Sequence, residues 1–276
     1  MNTIQTRYLN LIKSALTDTL GKFTLSTNDG TNVVLNNLLP DHPRWIGNDW
    51  PFLAHTMVGM KRLDQFQKAI EHVVANNIPG GIVECGTWRG GCAILAAAVL
   101  DVLGVRDRTI WVCDSFSGVP APECVQDAAM VLHNYSHYLG VSMDDVKAAF
   151  KRFGVNDDPV LYHAGMFKDS LPGLKGGTWS VIRADGEMYS STMDILTNLY
   201  HGLSAGGIIV IDDYFHIQAC RQAVDEFRDI RGITAEIQTI DTQGCFWIKL
   251  PGEPCPASAP EITLDNIAGS DIVTSD

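Results

Sequence analysis

The chain has 276 residues, enough for one sizeable core and at most two domains. Its 46% hydrophobic and 19% charged residues are those of a soluble globular protein, neither collagen-like nor disordered. A formal net charge of -12 excludes a protein that grips nucleic acid through clustered Lys and Arg, and seven cysteines without a C-x-x-C pair argue for reduced thiols over disulfides or a zinc site.

Ile4–Leu20 carries apolar residues at helical spacing and predicts a helix. It lacks the basic head and small-residue cleavage site of a secretion signal, and the longest apolar run, Cys92–Leu100, is too short to span a bilayer. A cytoplasmic protein with no membrane partner is therefore expected. His42–Met57, rich in Trp and Pro, predicts a cap or lid over the acceptor. From Met60 onward helical and strand patterns alternate. A helix over Met60–Asn76 leads to GGIVECGTWRGG, one over Cys92–Leu103 to RTIWVCDSFSG, and a long helical stretch over Gln126–Phe153 to DPVLYHAGMF. WSVIRADGE, a helix over Ser190–Leu203, GGIIVIDDY, a helix over Gln218–Ile230 and ITAEIQTIDTQGCFWIKL complete the series. Short apolar runs bounded by Gly or Pro and separated by helix-length segments predict right-handed βαβ units. The class is α/β, a doubly wound, mainly parallel sheet, with a C-terminal antiparallel hairpin turning near Gln243-Gly244 and an N-terminal helical cap. The expected parts are 1–57 (helix and lid), 58–250 (catalytic domain) and 251–276 (a tail rich in Pro, Ser and acids).

Ligands of such sheets sit beyond the carboxyl ends of the strands. The first strand ends in Glu84-Cys85-Gly86-Thr87-Trp88-Arg89-Gly90-Gly91, whose glycines admit a ligand close to the backbone. Its G-x-x-x-G-G spacing departs from the nicotinamide pattern, and an acid before the turn repels a pyrophosphate. The second strand ends in Asp114, placed to accept hydrogen bonds from both hydroxyls of a ribose. Together these describe a site for a nucleoside without phosphates, and S-adenosylmethionine is a ligand of that kind. Cys85, Cys92 and Cys113 are expected as buried fillers.

Asp185, at the end of WSVIRAD, and the adjacent Asp212 and Asp213, at the end of GGIIVIDD, should converge on one edge of the sheet. Three like charges there repel, and a hard divalent cation such as Mg²⁺ removes the repulsion. Helix capping accounts for one of these acids but not three. His216 is a possible second base, and Arg62 and Arg89 are read as structural or surface residues. A haloacid dehalogenase-like phosphatase also pairs a strand-end acid motif with a later Asp-Asp, but needs a Lys or Arg between them, and residues 186–211 contain neither. A non-catalytic S-adenosylmethionine-binding protein is the third reading.

The stretches HTMVGMKRLDQFQ (55–67), ECGTWRGG (84–91), DSFSGVP (114–120), ADGEMYSSTMDIL (184–196) and GGIIVIDDYFHIQACRQAVDEF (206–227) together resemble the TylF/MycF family of macrocin-type sugar O-methyltransferases. The resemblance implies a class I methyltransferase (Rossmann-like) fold, S-adenosylmethionine as donor, Mg²⁺ as metal, and a sugar hydroxyl of a macrolide- or aminocoumarin-like glycoside as acceptor, with antibiotic biosynthesis as the setting. It also implies that Met57 and Val58 touch the donor, Glu84, Gly86, Thr87 and Trp88 line its amino-acid end, Asp114 and Ser115 its ribose, and Phe167 its adenine. Asp185, Asp212 and Asp213 match the metal ligands, Asp185 being the base. The chain has Cys85 where the family commonly has Thr, Asp185-Gly186-Glu187 for D-G-D, and Gly165-Met166-Phe167 for G-W-F. A homo-oligomer is expected.

Overall fold

A computed structural model of the protein describes residues 1–20, 22–26, 32–36 and 42–253. Apart from Pro251–Glu253, the expected tail lies outside the described residues. Helix α1 (Thr3–Leu16) opens on a capping box, in which the Asn2 side chain accepts from the N–H groups of Ile4 and Gln5 while the Gln5 side chain accepts from the N–H of Asn2. It stops at Leu16 and not at Leu20, because the Thr17 hydroxyl turns back onto the Lys13 carbonyl (2.9 Å) and Asp18 adopts a φ of 54°. An antiparallel pair, β1 (Lys22–Ser26) and β2 (Asn32–Asn36), follows where no strand was expected.

Helix α2 (Pro43–Ile46) has Pro in its first turn and ends at Gly47 with φ 71°. That left-handed turn also serves packing. A Cβ on Gly47 would stand 2.3 Å from the Gly59 nitrogen and 2.6 Å from Arg62 Nη2, so the loop lies directly against the start of α3 (Met60–Ala75).

Then come β3 (Gly81–Cys85), α4 (Gly91–Leu103) and β4 (Ile110–Asp114). Where one helix was expected over Gln126–Phe153, the chain makes 3-10 turns at Val125–Asp127 and Leu132–Tyr135, a single turn α5 (Ser136–Leu139), and then α6 (Met143–Phe153). Gly140 closes α5, and Ser142 starts α6 by accepting from the Asp145 N–H. The remaining elements are β5 (Val160–Ala164), α7 (Phe167–Ser170), β6 (Trp179–Ala184), α8 (Tyr189–Leu199), β7 (Leu203–Ile211), α9 (Gln218–Arg231), β8 (Gln238–Thr239) and β9 (Cys245–Ile248).

The seven-stranded sheet has the order β5-β4-β3-β6-β7-β9-β8; β3 to β7 run parallel, and β9 is antiparallel to both neighbours. Both faces are covered, so strand residues alternate between two cores. Ile82, Val181, Ile208 and Val210 pack with α1, α3, α4 and α6, while Val83, Ile182, Ile209 and Ile211 pack with α8 and α9. Each such fully buried side chain contributes about 1.5–3 kcal/mol. Cys85, Cys92 and Cys113 are buried with free thiols. No helix among the described residues is long and apolar enough to cross a membrane. The chain order reverses between β3 and β6, so the loops after these strands meet at the sheet's carboxyl edge.

Candidate active site

The loop after β3 is built around Gly86, whose φ of +85° lets its backbone pass under β6. A Cβ there would stand 2.0 Å from the Asp185 carbonyl oxygen. Asp114 holds the loop from the neighbouring strand, its carboxylate accepting from the N–H groups of Thr87 (2.7 Å) and Phe116 (2.7 Å). Burial nonetheless raises its pKa. The Ser115 hydroxyl donates to the Gly118 carbonyl (2.7 Å).

Gly86, Asp114, Ser115 and Gly118 border a cavity of about 190 Å³. Of the residues expected at a donor, Met57, Gly86, Trp88, Asp114, Ser115 and Phe167 line it. Val58, Glu84 and Thr87 instead line a second cavity, of about 280 Å³, reached past Met57, Gly86, Trp88, Leu139, Asp185 and Glu187, which border both. Glu84 is only 1% exposed, its carboxylate accepting from Thr87 Oγ1 (2.8 Å) and Arg183 Nη1 (3.1 Å). Burial outweighs Arg183 and pushes its pKa up to about 7.

The second cavity contains Asp185, Asp212 and Asp213, brought together as the sequence predicted, with one carboxylate oxygen from each lying within 4.8 Å of the others. Two buried arginines hold the cluster. Arg183 Nη2 donates to Asp212 Oδ1 (2.7 Å) and Asp185 Oδ2 (2.9 Å), and Arg62 Nη1 pairs with Asp212 Oδ2 while its Nε reaches Asp241 (3.1 Å). Burial alone would push Asp212 up, but Arg62 and Arg183 prevail and hold it below its ordinary value. Asp185 goes the other way, up to about 6, through burial and then the Asp212 charge. Burial, Asp185 and Asp212 raise Asp213, and burial with the neighbouring acids raises Glu187. Asp213 Oδ2 is buried with no hydrogen-bond partner among the described residues. A partnerless carboxylate oxygen, an all-oxygen donor set and an excess of acid over the two arginines fit a hard divalent cation.

Sequence reasoning overlooked Arg183, although a lone Arg in an otherwise apolar strand was a signal. It took Arg62 for a structural or surface residue; the side chain is 3% exposed and pairs with one of the candidate metal ligands. Glu187 was noted only as a departure from D-G-D, yet it has φ 48° and borders both cavities. Asp127, fully buried, was not singled out. It accepts from the N–H groups of Tyr189 (2.7 Å) and Ser190 (3.1 Å), capping α8 from a distant loop. Exposed His216 borders the second cavity.

A family model described as macrocin-O-methyltransferase (TylF) matches residues 5–249. The chain is 44% identical over 244 residues to the 8-demethyl-8-(2,3-dimethoxy-alpha-L-rhamnosyl)-tetracenomycin-C 4'-O-methyltransferase of Streptomyces olivaceus, covering 87% of this chain and 91% of that protein. It is 41% identical over 248 residues to the mycinamicin III 3''-O-methyltransferase of Micromonospora griseorubida, covering 87% and 95%. Among solved structures, the O-methyltransferase NovP superposes with a TM-score of 0.81 at 38% identity, over 90% of this chain and 100% of that one.

Proposed function

The chain belongs to the macrocin-O-methyltransferase (TylF) family, S-adenosylmethionine-dependent O-methyltransferases with the class I fold, and from that membership we propose that it methylates a sugar hydroxyl of a glycosylated natural product with the help of Mg²⁺. One observation carries the reading. The cavity bordered by Asp114 and Phe167 opens, past six shared residues, onto a second cavity that contains three carboxylates suited to a divalent cation. A donor in the first and a hydroxyl in the second would meet at Met57, Gly86, Trp88, Leu139, Asp185 and Glu187.

S-adenosylmethionine supplies an electrophilic methyl group on a sulfonium. Asp114, in this reading, accepts from the ribose, Phe167 covers the adenine, and Glu84 answers the positive amino end from the cavity beyond. Asp185, Asp212 and Asp213 would hold Mg²⁺, which when bound supplies a Lewis acid that lowers the pKa of a coordinated hydroxyl. Arg183 and Arg62 orient Asp212, and Arg183 also orients Asp185. Trp88 and Met57 wall the junction against water. Fixing two reactants in line is worth up to about 7–11 kcal/mol of a barrier, which is this scaffold's main service.

A sugar hydroxyl must shed a proton as it is methylated. Asp185 is the proposed acceptor, because a carboxyl raised to about 6 retains a proton near neutral pH better than an ordinary one. Glu187 is a second candidate, favoured by its place on both cavities and by the fact that Arg183 already holds Asp185 Oδ2. Asp185→Asn and Glu187→Gln, compared at saturating Mg²⁺, separate them, since losing the true acceptor abolishes the acid limb of the pH–kcat profile whereas losing its neighbour only shifts it.

The test combines calorimetric titration of S-adenosylmethionine with turnover of rhamnosides and macrolide glycosides, with and without Mg²⁺. Donor binding and Mg²⁺-dependent methylation are expected. Asp213→Asn should weaken Mn²⁺ binding, read by electron paramagnetic resonance without substrate, at least about tenfold. Full turnover in EDTA would refute the metal, and donor binding without methylation of any glycoside would refute the acceptor class.

A further inference from the structure

The second cavity, at about 280 Å³, lies at the small end of the sizes that enclose a drug-sized ligand. A glycoside whose sugar enters it must leave its remaining part outside, so what borders the mouth matters. Trp50 lines the cavity and is also 47% exposed. It lies flat on Tyr138, with ring centroids 5.1 Å apart and planes 11° apart, and meets Tyr135 edge-on at 5.1 Å. Tyr138 in turn packs at 5.5 Å against Trp88, which borders both cavities. Beside Trp50, Phe52 is 88% exposed and Leu53 is 61% exposed.

Apolar side chains on a loose loop would mean little, but this segment is tied down. Arg89 Nη1 donates to the carbonyls of Phe52 (2.9 Å), Ala54 (2.9 Å) and Pro51 (3.4 Å), and the Tyr138 hydroxyl donates to Pro51 as well (2.6 Å). The Arg89 guanidinium is itself stacked 4.0 Å over the Trp88 ring. A fixed backbone that turns large apolar side chains into water is a surface kept for contact. Trp50 belongs to both the cavity wall and this surface, so a ligand extending out of the cavity on that side runs onto it. The cavity's many acids, with Arg62 and Arg183 already paired, disfavour an anionic acceptor.

We propose that Trp50, Phe52 and Tyr135 form a shelf that binds the apolar, aromatic part of the acceptor while the sugar enters the cavity behind it. This rests on the glycoside reading above, and it assigns acceptor choice to residues outside the chemical centre. Flat rings stacking on Trp50 and Phe52 gain from area and from favourable ring geometry.

The experiment uses the full-length protein and two probes, naphthyl α-L-rhamnoside and methyl α-L-rhamnoside. The ratio of their kcat/KM values is measured in the unaltered protein and in Trp50→Ala and Phe52→Ser; the exposed Phe52 makes the second variant safe for folding. The naphthyl-to-methyl ratio should fall at least about tenfold in each, as for aromatic anchors elsewhere. An unchanged ratio, or equal loss on both probes, overturns the shelf. A change of assembly state in Phe52→Ser, seen by sedimentation with the ratio unchanged, gives the surface to a second copy of the chain and overturns it too. If neither rhamnoside is methylated, the result bears on the choice of sugar and not on the shelf, which is then judged by calorimetric binding of the same probes. A naphthyl preference lost in both variants supports it, and no preference in the unaltered protein overturns it.

Discussion

Replacing Arg183 with Met tests whether the acid cluster depends on its buried counter-charge. The guanidinium is 2% exposed and serves three carboxylates, Glu84 (3.1 Å), Asp185 (2.9 Å) and Asp212 (2.7 Å). Met roughly fills the stem but leaves Glu84 and Asp185 without a cation, while Asp212 keeps Arg62. Deleting one partner of a buried pair costs about 3–5 kcal/mol, a large share of the about 5–15 kcal/mol that holds a protein together. The cost must depend on pH. Glu84 and Asp185 have folded pKa values raised to about 7 and about 6, so the stability linked to their protonation is present at low pH and lost as pH rises through those values. Without Arg183 both rise further, and the loss deepens on the alkaline side. Urea unfolding at about pH 8 should show the full 3–5 kcal/mol deficit, and at about pH 5.5 less than half of it. A deficit under about 1 kcal/mol at the higher pH, or an equal one at both, would refute the reasoning.

Two further variants probe the scaffold of the site. Gly86→Ala forces a Cβ onto the Asp185 carbonyl at a left-handed φ, so it should cost at least about 1–3 kcal/mol in thermal unfolding and weaken S-adenosylmethionine binding by calorimetry. Asp127→Ala removes the cap of α8 and should cost about 1–2 kcal/mol, with Asp127→Asn recovering part of the loss because its amide oxygen still accepts.

Much of this was written locally. Short uninterrupted apolar runs bounded by Gly or Pro gave the buried parallel strands, and strand ends in acids or glycines marked the carboxyl edge where the cavities lie. Asp185, Asp212 and Asp213 were predictable as neighbours because adjacent parallel strands end in register. What was lost depended on partners far along the chain. Arg183 acquires its role only when Glu84 and Asp212 close around it, and Arg62 only when Gly47, Asp212, Asp241 and Gln243 meet its guanidinium. The stretch from Gln126 to Phe153 has helix-forming composition, but Gly140 and the Ser142 cap divide it. Division of Glu84 and Thr87 from the other expected donor residues followed from how deeply β3 is buried, which its sequence does not record.

The interlock of Gly47 with Gly59 bears on attempts to engineer new acceptor preferences. Any side chain at Gly47 meets main-chain atoms of Gly59 and Met57, just before α3, so a saturation library at that position would mostly return unfolded clones. Diversity belongs instead at Phe52 and Leu53, exposed side chains on a backbone that Arg89 holds through the carbonyls of Pro51, Phe52 and Ala54. The enzyme thus comes with a fixed frame and a replaceable face.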